Sequence, residues 1–231
     1  MLKGDIRKQQ ILKTAESFFT SKGYENTSIQ DILNVLHLSK GSFYHHFESK
    51  EILLKTICEN RAKEACAQFH EIEQPSDGLK ALNLLISFIM PFRPENMDFL
   101  KLIIPVFSLP EGVSIRNAYQ SAIKEAFLTD FVNNLSLIVL QRSAYVQFPE
   151  RTSSVCLDLL NDLWSLICDS IITSLSNSDS NTEPDQILEI ISTYRLALEN
   201  VLCAPYGSIL LLDLTELSQI SQNIHNILSQ Q

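Results

Sequence analysis

Residues 27–50 read TSIQDILNVLHLSKGSFYHHFESK, and the way this stretch divides into helices decides the fold. Thr27-Ser28-Ile29-Gln30 has the spacing of a T-x-x-Q capping box. It predicts a short helix whose inner face is Ile29, Ile32, Leu33 and Leu36, broken at His37-Leu38. Ser39 then caps a third short helix, Lys40 to His46, with Phe43 and Phe47 one turn apart and facing inward. Ser49 caps a long helix from Lys50 to about Ile72. Two short helices joined by a tight turn, with another helix ahead of them, make a helix-turn-helix. The second helix of such a pair presents small or polar side chains to base edges in a groove about 12 Å wide, so it must be anchored from behind. Phe43 and Phe47 supply the anchor, Gly41, Ser42 and His45 point away from them, and Tyr44 lies on the flank. Gly41 costs about 1 kcal/mol relative to alanine in an ordinary helix. Close approach to DNA gives a reason to accept that cost, because no Cβ stands in the way. Thr27, Ser39 and Ser49 put hydroxyls and free N–H groups at helix N-termini, which are natural phosphate seats, and Lys50 adds a charge beside one of them.

The helical reading extends in both directions. Ahead of the motif, Ile11, Leu12, Ala15, Phe18 and Phe19 share one face of a helix over residues 5–22, with Asp5 as N-cap and Gly23 as the closing residue. Behind it, Gln74-Pro75-Ser76-Asp77-Gly78 ends the long helix. Further helices are predicted over 79–90, from Pro94 with breaks or kinks at Pro105 and Pro110, over about 113–142, 152–175 and 185–203, and over 208–228 with Ser208 as cap. A polar stretch over 174–185 reads as a loop, and Ala204-Pro205-Tyr206-Gly207 as a break. No repeat is present, and no alternating run persists long enough to rival helix. The fold class is all-α.

The 231 residues, 45% apolar and 19% charged, fit a globular chain of one or two domains and exclude a disordered one. The longest nearly unbroken apolar run, Leu84 to Phe92, falls far short of the about 20 residues that span a bilayer, and the N-terminal segment has no apolar signal region. A cytoplasmic protein with no membrane partner is expected. The five cysteines (Cys58, Cys66, Cys156, Cys168, Cys203) are odd in number and form no C-x-x-C pair, so they read as small buried apolar residues rather than as disulfides or a zinc site. Charge is uneven. Residues 1–50 carry seven Lys/Arg against five Asp/Glu, net +2, while the remainder is net −11. An acidic chain is repelled by nucleic acid, and a small head of opposite sign on an acidic body is how a DNA binder of this composition would be built.

Residues 6–53 resemble the DNA-binding domain of the tetracycline-repressor (TetR) family of bacterial transcriptional regulators. The matching pieces are Ile11-Leu12-x-x-Ala15-x-x-Phe18-Phe19-x-x-x-Gly23-Tyr24, Thr27-x-Ile29-x-Asp31-Ile32, and Ser39-Lys40-Gly41-Ser42-Phe43-Tyr44-His45-His46-Phe47-x-Ser49-Lys50-Glu51-x-Leu53. The resemblance implies an N-terminal three-helix DNA-binding domain, residues 1–50, and a larger helical ligand-binding and dimerisation domain, residues 51–231. It implies phosphate contacts for Thr27, Ser39, His45 and Lys50, base contacts for Ser42 and Tyr44, close approach at Gly41, and a place for Lys40 among the DNA-binding residues. The chain departs from the family at the turn, where Leu36-His37-Leu38 stands in place of Ala-Gly-Val. Histidine tolerates a positive φ better than most residues. Leu33 and Leu36 replace smaller residues, which alters the packing of the two helices.

Two functions are compatible with this reading. The first is a homodimeric regulator, most often a repressor in this family, that leaves a palindromic operator when a small molecule enters the body and moves helix 50–72. The second is a DNA-binding adaptor or architectural protein controlled by a protein partner, with no small-molecule ligand. An apolar cavity in the body favours the first and a filled core the second. No P-loop, G-x-G-x-x-G, nucleophile elbow or H-E-x-x-H is present, which argues against an enzyme, and no cofactor is expected. His45 and His46 point about 100° apart on a helix, so no metal site is expected there, and His70 and His225 read as solvated. Phe69, Phe88, Met90, Phe92, Met97, Phe99, Phe107, Tyr119, Phe127, Phe131, Tyr145 and Trp164 read first as core. Asn133-Asn134 are pocket candidates or a solvated face, and no ligand-binding residue is assigned. The resemblance implies a four-helix bundle between two copies, built from helices 152–175 and 185–203, whose stripes are Leu159, Leu163, Leu166 and Ile167 on one and Ile187, Ile190, Ile191 and Leu198 on the other; helix 208–228 either extends that interface or, the preferred reading, caps the body. The field of a body at net −11 favours an apolar or cationic effector over an anion.

Overall fold

The computed structural model describes residues 3–176 and 184–212. Among them the chain forms α1 (Lys3–Lys22), α2 (Ile29–Leu36), α3 (Lys40–Tyr44), α4 (Lys50–Glu71), α5 (Gly78–Ile89), a 3-10 turn (Pro94–Asn96), α6 (Met97–Val106), α7 (Gly112–Leu140), α8 (Pro149–Ser176) and α9 (Pro184–Leu202). No strand occurs among the described residues, and none of their helices is long and apolar enough to cross a membrane.

The head is α1 to α3 packed on the first half of α4. Gly23 closes α1 at φ 86°, a left-handed conformation that glycine adopts without a Cβ penalty. His37 closes α2 at φ 52° and ψ 44°, with its N–H directed at the Asn34 and Leu33 carbonyls. The turn that the resembling family builds with glycine is thus made here by a left-handed histidine. Ser39 Oγ accepts the Ser42 N–H at 3.2 Å, and Ser49 Oγ accepts the Ile52 N–H at 3.1 Å, so the starts of α3 and α4 are side-chain capped. Ile11, Leu12, Ala15 and Phe19 from α1, Ile32 and Leu33 from α2, Phe43, Phe47, and Leu53, Leu54 and Ile57 from α4 are all buried together.

In the body α7 is the central helix. It packs on α4, α5 and α8, and α9 completes the layer against α8. Gly78 lets α5 approach α7, since a Cβ there would fall 2.8 Å from Ile138 Cγ1, and its N–H donates to Gln141 Oε1 at 2.7 Å. Arg116 holds Asp169 across α7 and α8, with Nη1 2.8 Å from Oδ2. Gln120 and Asn161 exchange amide-to-carbonyl bonds, each 3.1 Å, and Trp164 Nε1 donates to Asn161 Oδ1 at 3.1 Å. Of the aromatic and methionine residues expected in the core, Tyr145 is exposed and Met97 half-buried, and the rest are buried.

Several expectations are corrected. The capping box lies one residue later than expected. Ser28 has the extended backbone of an N-cap (φ −91°, ψ 156°), accepts the Asp31 N–H at 3.1 Å, and donates its own N–H to Asp31 Oδ2 at 2.8 Å. Asp31 has the short carboxylate that reaches back, while Gln30 instead donates to Asn34 Oδ1 at 2.8 Å. Asp5 lies in the first turn of α1, which starts at Lys3, so it is not the N-cap. α8 and α9 both reach into the expected loop, leaving 177–183 outside the described residues. Residues 208–212 are not helical, because Ser208 N–H closes a turn onto Pro205 O, and 213–231 with His225 lie outside the described residues. Leu163, Ile167 and Leu198 are fully buried in the protomer's own core, and Ile187 and Ile191 are buried as well. Leu166 does face outward as expected, and the other outward apolar residues of α8 and α9 are Val155, Leu196 and Val201.

Phe47, 2% exposed, and Tyr44, 54% exposed, differ in the way a core anchor and a surface residue should. Phe47→Ala is expected to cost about 3–5 kcal/mol of head stability, and Tyr44→Ala to stay within about 0.5 kcal/mol. Urea denaturation followed by circular dichroism checks the pair, and equal midpoints for both variants would contradict this packing.

Candidate nucleic-acid interface

α3 is five residues long, and its outward surface is built by exclusion. Phe43 is fully buried, and Phe47 packs beside it with ring centroids 5.9 Å apart. One side of the helix is thereby fixed on the head, and Lys40, Gly41, Tyr44 and His45 are left exposed, with Ser42 half-buried. The Tyr44 ring stands edge-on to Phe43, centroids 5.4 Å apart at 88°, so its base is held while most of the side chain stays in solvent. Ser39 is exposed at the N-terminus, its hydroxyl oxygen engaged by the Ser42 N–H. Gly41 carries a specific message. A Cβ at this position would meet nothing closer than Ser39 Oγ at 3.9 Å. Nothing inside the protein requires glycine there.

Basic residues of α1 stand beside this surface. Lys8 of α1 sits 5.7 Å from the Phe47 ring centroid, which brings the first turns of α1 beside the end of α3. Burial holds the His46 imidazole below its usual pKa; His45, Lys8 and Arg7 nearby push it the same way, and Asp5 opposes them. Arg7, Lys8 and Lys40 are all exposed. Arg7 and Lys8 thus lie near the His46 end of α3, together with Asp5, whose charge opposes theirs there.

Two of the residues named from the sequence face inward. Thr27 is fully buried. Its hydroxyl reaches the Gly23 carbonyl at 2.8 Å and the Phe18 carbonyl at 3.3 Å, and its N–H donates to Tyr24 O at 3.3 Å. Both of its donors are spent on closing the α1–α2 connection, so the free phosphate donor expected there is absent in this conformation. Lys50 Nζ donates to Tyr24 O at 2.9 Å and Thr27 O at 3.2 Å and lies 4.2 Å from the Tyr24 ring centroid. Burial lowers its pKa, opposed by the charges of Glu111 and Glu25. Lys50 thus pins the start of α4 to the loop that precedes α2. The structure brings Ser39, Lys40, Gly41, Ser42, Tyr44 and His45 together on one surface and sets Thr27 and Lys50 behind it.

In the body, an open groove of about 570 Å³ on α7 and α8 is lined by Asn117, Gln120, Ser121, Lys124, Asp158, Asn161 and Asp162. Asn133 is exposed, and Asn134 donates to the carbonyl of Asp130 at 3.0 Å. His70 is not simply solvated, since its Nε2 lies 2.9 Å from Asp130 Oδ2. Cys66, one turn before His70, completes a group of three potential metal ligands that sequence reading missed. The C-x-x-x-H spacing on a helix was the available signal; the partner on α7 lies 60 residues beyond His70.

Residues 11–57 match the family of bacterial regulatory proteins of the tetR type. The chain is similar to YerO of Bacillus subtilis, described as an uncharacterized HTH-type transcriptional regulator: 31% identical over 137 residues, 58% of this chain and 46% of that protein. It is also similar to the HTH-type transcriptional repressor AcnR of Corynebacterium diphtheriae, 24% identical over 187 residues, 80% of this chain and 90% of AcnR. The chain spans about half to three-fifths of the length of the first curated relatives it matches. A solved tetR-family transcriptional regulator from Pectobacterium atrosepticum has the same fold, with a TM-score of 0.62 at 18% identity over 87% of this chain and 97% of that one.

The Lys50 tie is a stability element. Lys50→Met is expected to lower head stability by roughly 1–2 kcal/mol, below the sum of two charge-assisted hydrogen bonds because the ammonium is partly solvated. Lys50→Arg should recover part of the loss. Thermal melts of the three proteins measure this, and an unchanged Lys50→Met midpoint would show the tie to be idle.

Proposed function

We propose that this chain, which belongs to the tetR family of bacterial regulatory proteins, is a cytoplasmic homodimeric repressor that grips a palindromic double-stranded operator and is released from it by an effector. The observation that carries the DNA-binding part is Gly41. It is a glycine in an exposed helix that internal packing does not require, flanked by Lys40, Ser42, Tyr44 and His45 beside the basic start of α1. The name of one relative as a repressor supports the sign of regulation. In this reading residues 1–50 form the DNA-binding domain and 51–231 the regulatory and dimerisation domain. Ser42 and Tyr44 read bases, while Ser39, Lys40 and His45 hold phosphates. Thr27 and Lys50 act behind the surface, by fixing the α1–α2 connection against α4.

The outward apolar residues of α8 and α9, Val155, Leu166, Leu196 and Val201, supply the dimer surface in this proposal. Two protomers joined there place two copies of α3 on half-sites about 34–36 Å apart, one helical turn of DNA. α4 links head to body and forms its most extensive pairing with α7. A ligand that favours one arrangement of α4 on α7 would shift the population in which the two α3 helices fit successive grooves. The acidic body favours an apolar or cationic effector. Sedimentation should show a dimer at micromolar concentration, and a monomer would count against the whole assembly.

Gly41→Ala and Tyr44→Ala test the interface. Gly41→Ala should raise head stability by up to about 1 kcal/mol while weakening DNA binding, because the methyl group stands where the duplex must come closest. Tyr44→Ala should cost roughly 1–3 kcal/mol per half-site on a selected operator and less on a scrambled duplex. Lys40→Ala should weaken both duplexes alike and lower the salt slope by about one per subunit. Anisotropy titrations at several salt concentrations separate these outcomes. A Gly41→Ala protein that binds as well as wild type would remove the main support for the reading.

A further inference from the structure

Cys66 and His70 lie one turn apart on α4, and Asp130 faces them from α7. Cys66 Sγ lies 3.3 Å from the Ala126 carbonyl, its hydrogen-bond acceptor, and 3.8 Å from Asp130 Oδ2. His70 Nε2 lies 2.9 Å from the same carboxylate oxygen. One ligand atom from each residue can be chosen so that all three lie within 4.8 Å of one another. In a tetrahedral zinc site with Zn–S about 2.3 Å and Zn–N or Zn–O about 2.0–2.2 Å, neighbouring ligand atoms stand about 3.3–3.6 Å apart. The present triangle reaches that geometry by opening its N–O edge by a few tenths of an ångström and drawing in the sulfur.

We propose that Cys66, His70 and Asp130 form a binding site for a divalent transition cation of the zinc class, clamping α4 to α7. The donor set is the borderline-soft mixture of thiolate, imidazole and carboxylate that zinc prefers. The side chain of His70 is 56% exposed and that of Asp130 19%, so the site opens to solvent on the histidine side and leaves a fourth position for water. That arrangement suits an exchangeable ion better than a sealed structural one. In the metal-free protein, burial and the charge of Asp130 push the Cys66 thiol up to about 11, so it holds its proton at neutral pH. Metal entry releases that proton to solvent, and the sulfur lone pair that held it then bonds the cation. His70 ligates through Nε2 with its proton on Nδ1. The regulatory consequence rests on the repressor reading above. α4 carries the head, so an ion fixing the α4–α7 distance is the cationic effector that an acidic body favours.

The test uses the full chain, stripped with chelator under reducing conditions. Cobalt(II) is titrated first, with no DNA present. One equivalent should produce a thiolate-to-cobalt charge-transfer band, and zinc should displace it. Cys66→Ser should abolish the band, and His70→Gln and Asp130→Asn should each weaken binding at least about 10–100-fold, the loss that follows removal of even an outer-shell partner. Cys203→Ser, which alters the exposed cysteine, should leave it unchanged. No band, or a band that survives Cys66→Ser, overturns the site. A second arm measures binding of the stripped protein, with and without zinc, to duplexes it selects from a random pool. Zinc should change that affinity by about 5- to 150-fold, and not in Cys66→Ser. An unchanged affinity overturns the coupling, whereas no DNA binding by the stripped protein overturns the repressor reading and leaves the optical result to stand by itself.

Discussion

A helix of five residues cannot hold itself together in water, because the first hydrogen-bonded turn already fixes more backbone than it repays. α3 exists because Phe43 and Phe47 are buried against α1, α2 and α4. Their burial sets the angle of the helix, and the angle decides that Lys40, Gly41, Tyr44 and His45 face outward. The other features of the head serve this one constraint. Ser39 and Ser49 cap the helices on either side, the left-handed His37 turns the chain between α2 and α3, and Lys50 fastens the start of α4 to the loop before α2. Specificity in a groove needs side chains placed to within a fraction of an ångström. Here that placement comes from a packed core behind the helix rather than from the helix itself.

Local signals were legible in the sequence to the extent that they are local. Serines before apolar runs gave the starts of α3 and α4, and Gly23 and His37 were readable as left-handed ends. The capping box slipped by one residue because Thr27 and Ser28 are chemically alike, and only tertiary packing decides which turns inward. Lys50 shows the limit more sharply. From the sequence it is a charged residue at a helix start, and its natural place is solvent. Its partners, the Tyr24 and Thr27 carbonyls, lie 26 and 23 residues away, across two helices. A lysine that satisfies buried carbonyls looks the same on paper as one that waits for a phosphate.

The body reads differently. The helices α5 to α9 were found with ends within a few residues, the one expected from Ser208 is not formed over 208–212, and the buried side of α8 was only partly readable. α8 is rich in apolar residues around much of its circumference, so Leu163, Ile167 and Leu166 look equivalent on a helical wheel. Packing against α7 and α9 buries the first two and leaves the third outside. The same blindness hid the Cys66, His70 and Asp130 cluster. Two of its members share one helix face, while the third is supplied by α7 at a register that sequence spacing cannot give.

The position of that cluster along α4 matters more than its proximity to the head. α4 has 22 residues, and Cys66 and His70 stand in its last turns, at the end opposite Lys50. At 1.5 Å per residue the distance from this end to the head is about 24–30 Å. A tilt of about 5° imposed there displaces the start of α4 by about 2 Å over that length. The head follows, because Lys50, Leu53, Leu54 and Ile57 are built into its core rather than hinged to it. In the proposed two-fold dimer the displacement would act on both heads. A spacing matched to one turn of duplex would then lose its fit without any change in the proposed contact residues. The rigidity that fixes the outward face of α3 is what would let a small change at the far end of α4 reach it in the proposed mechanism.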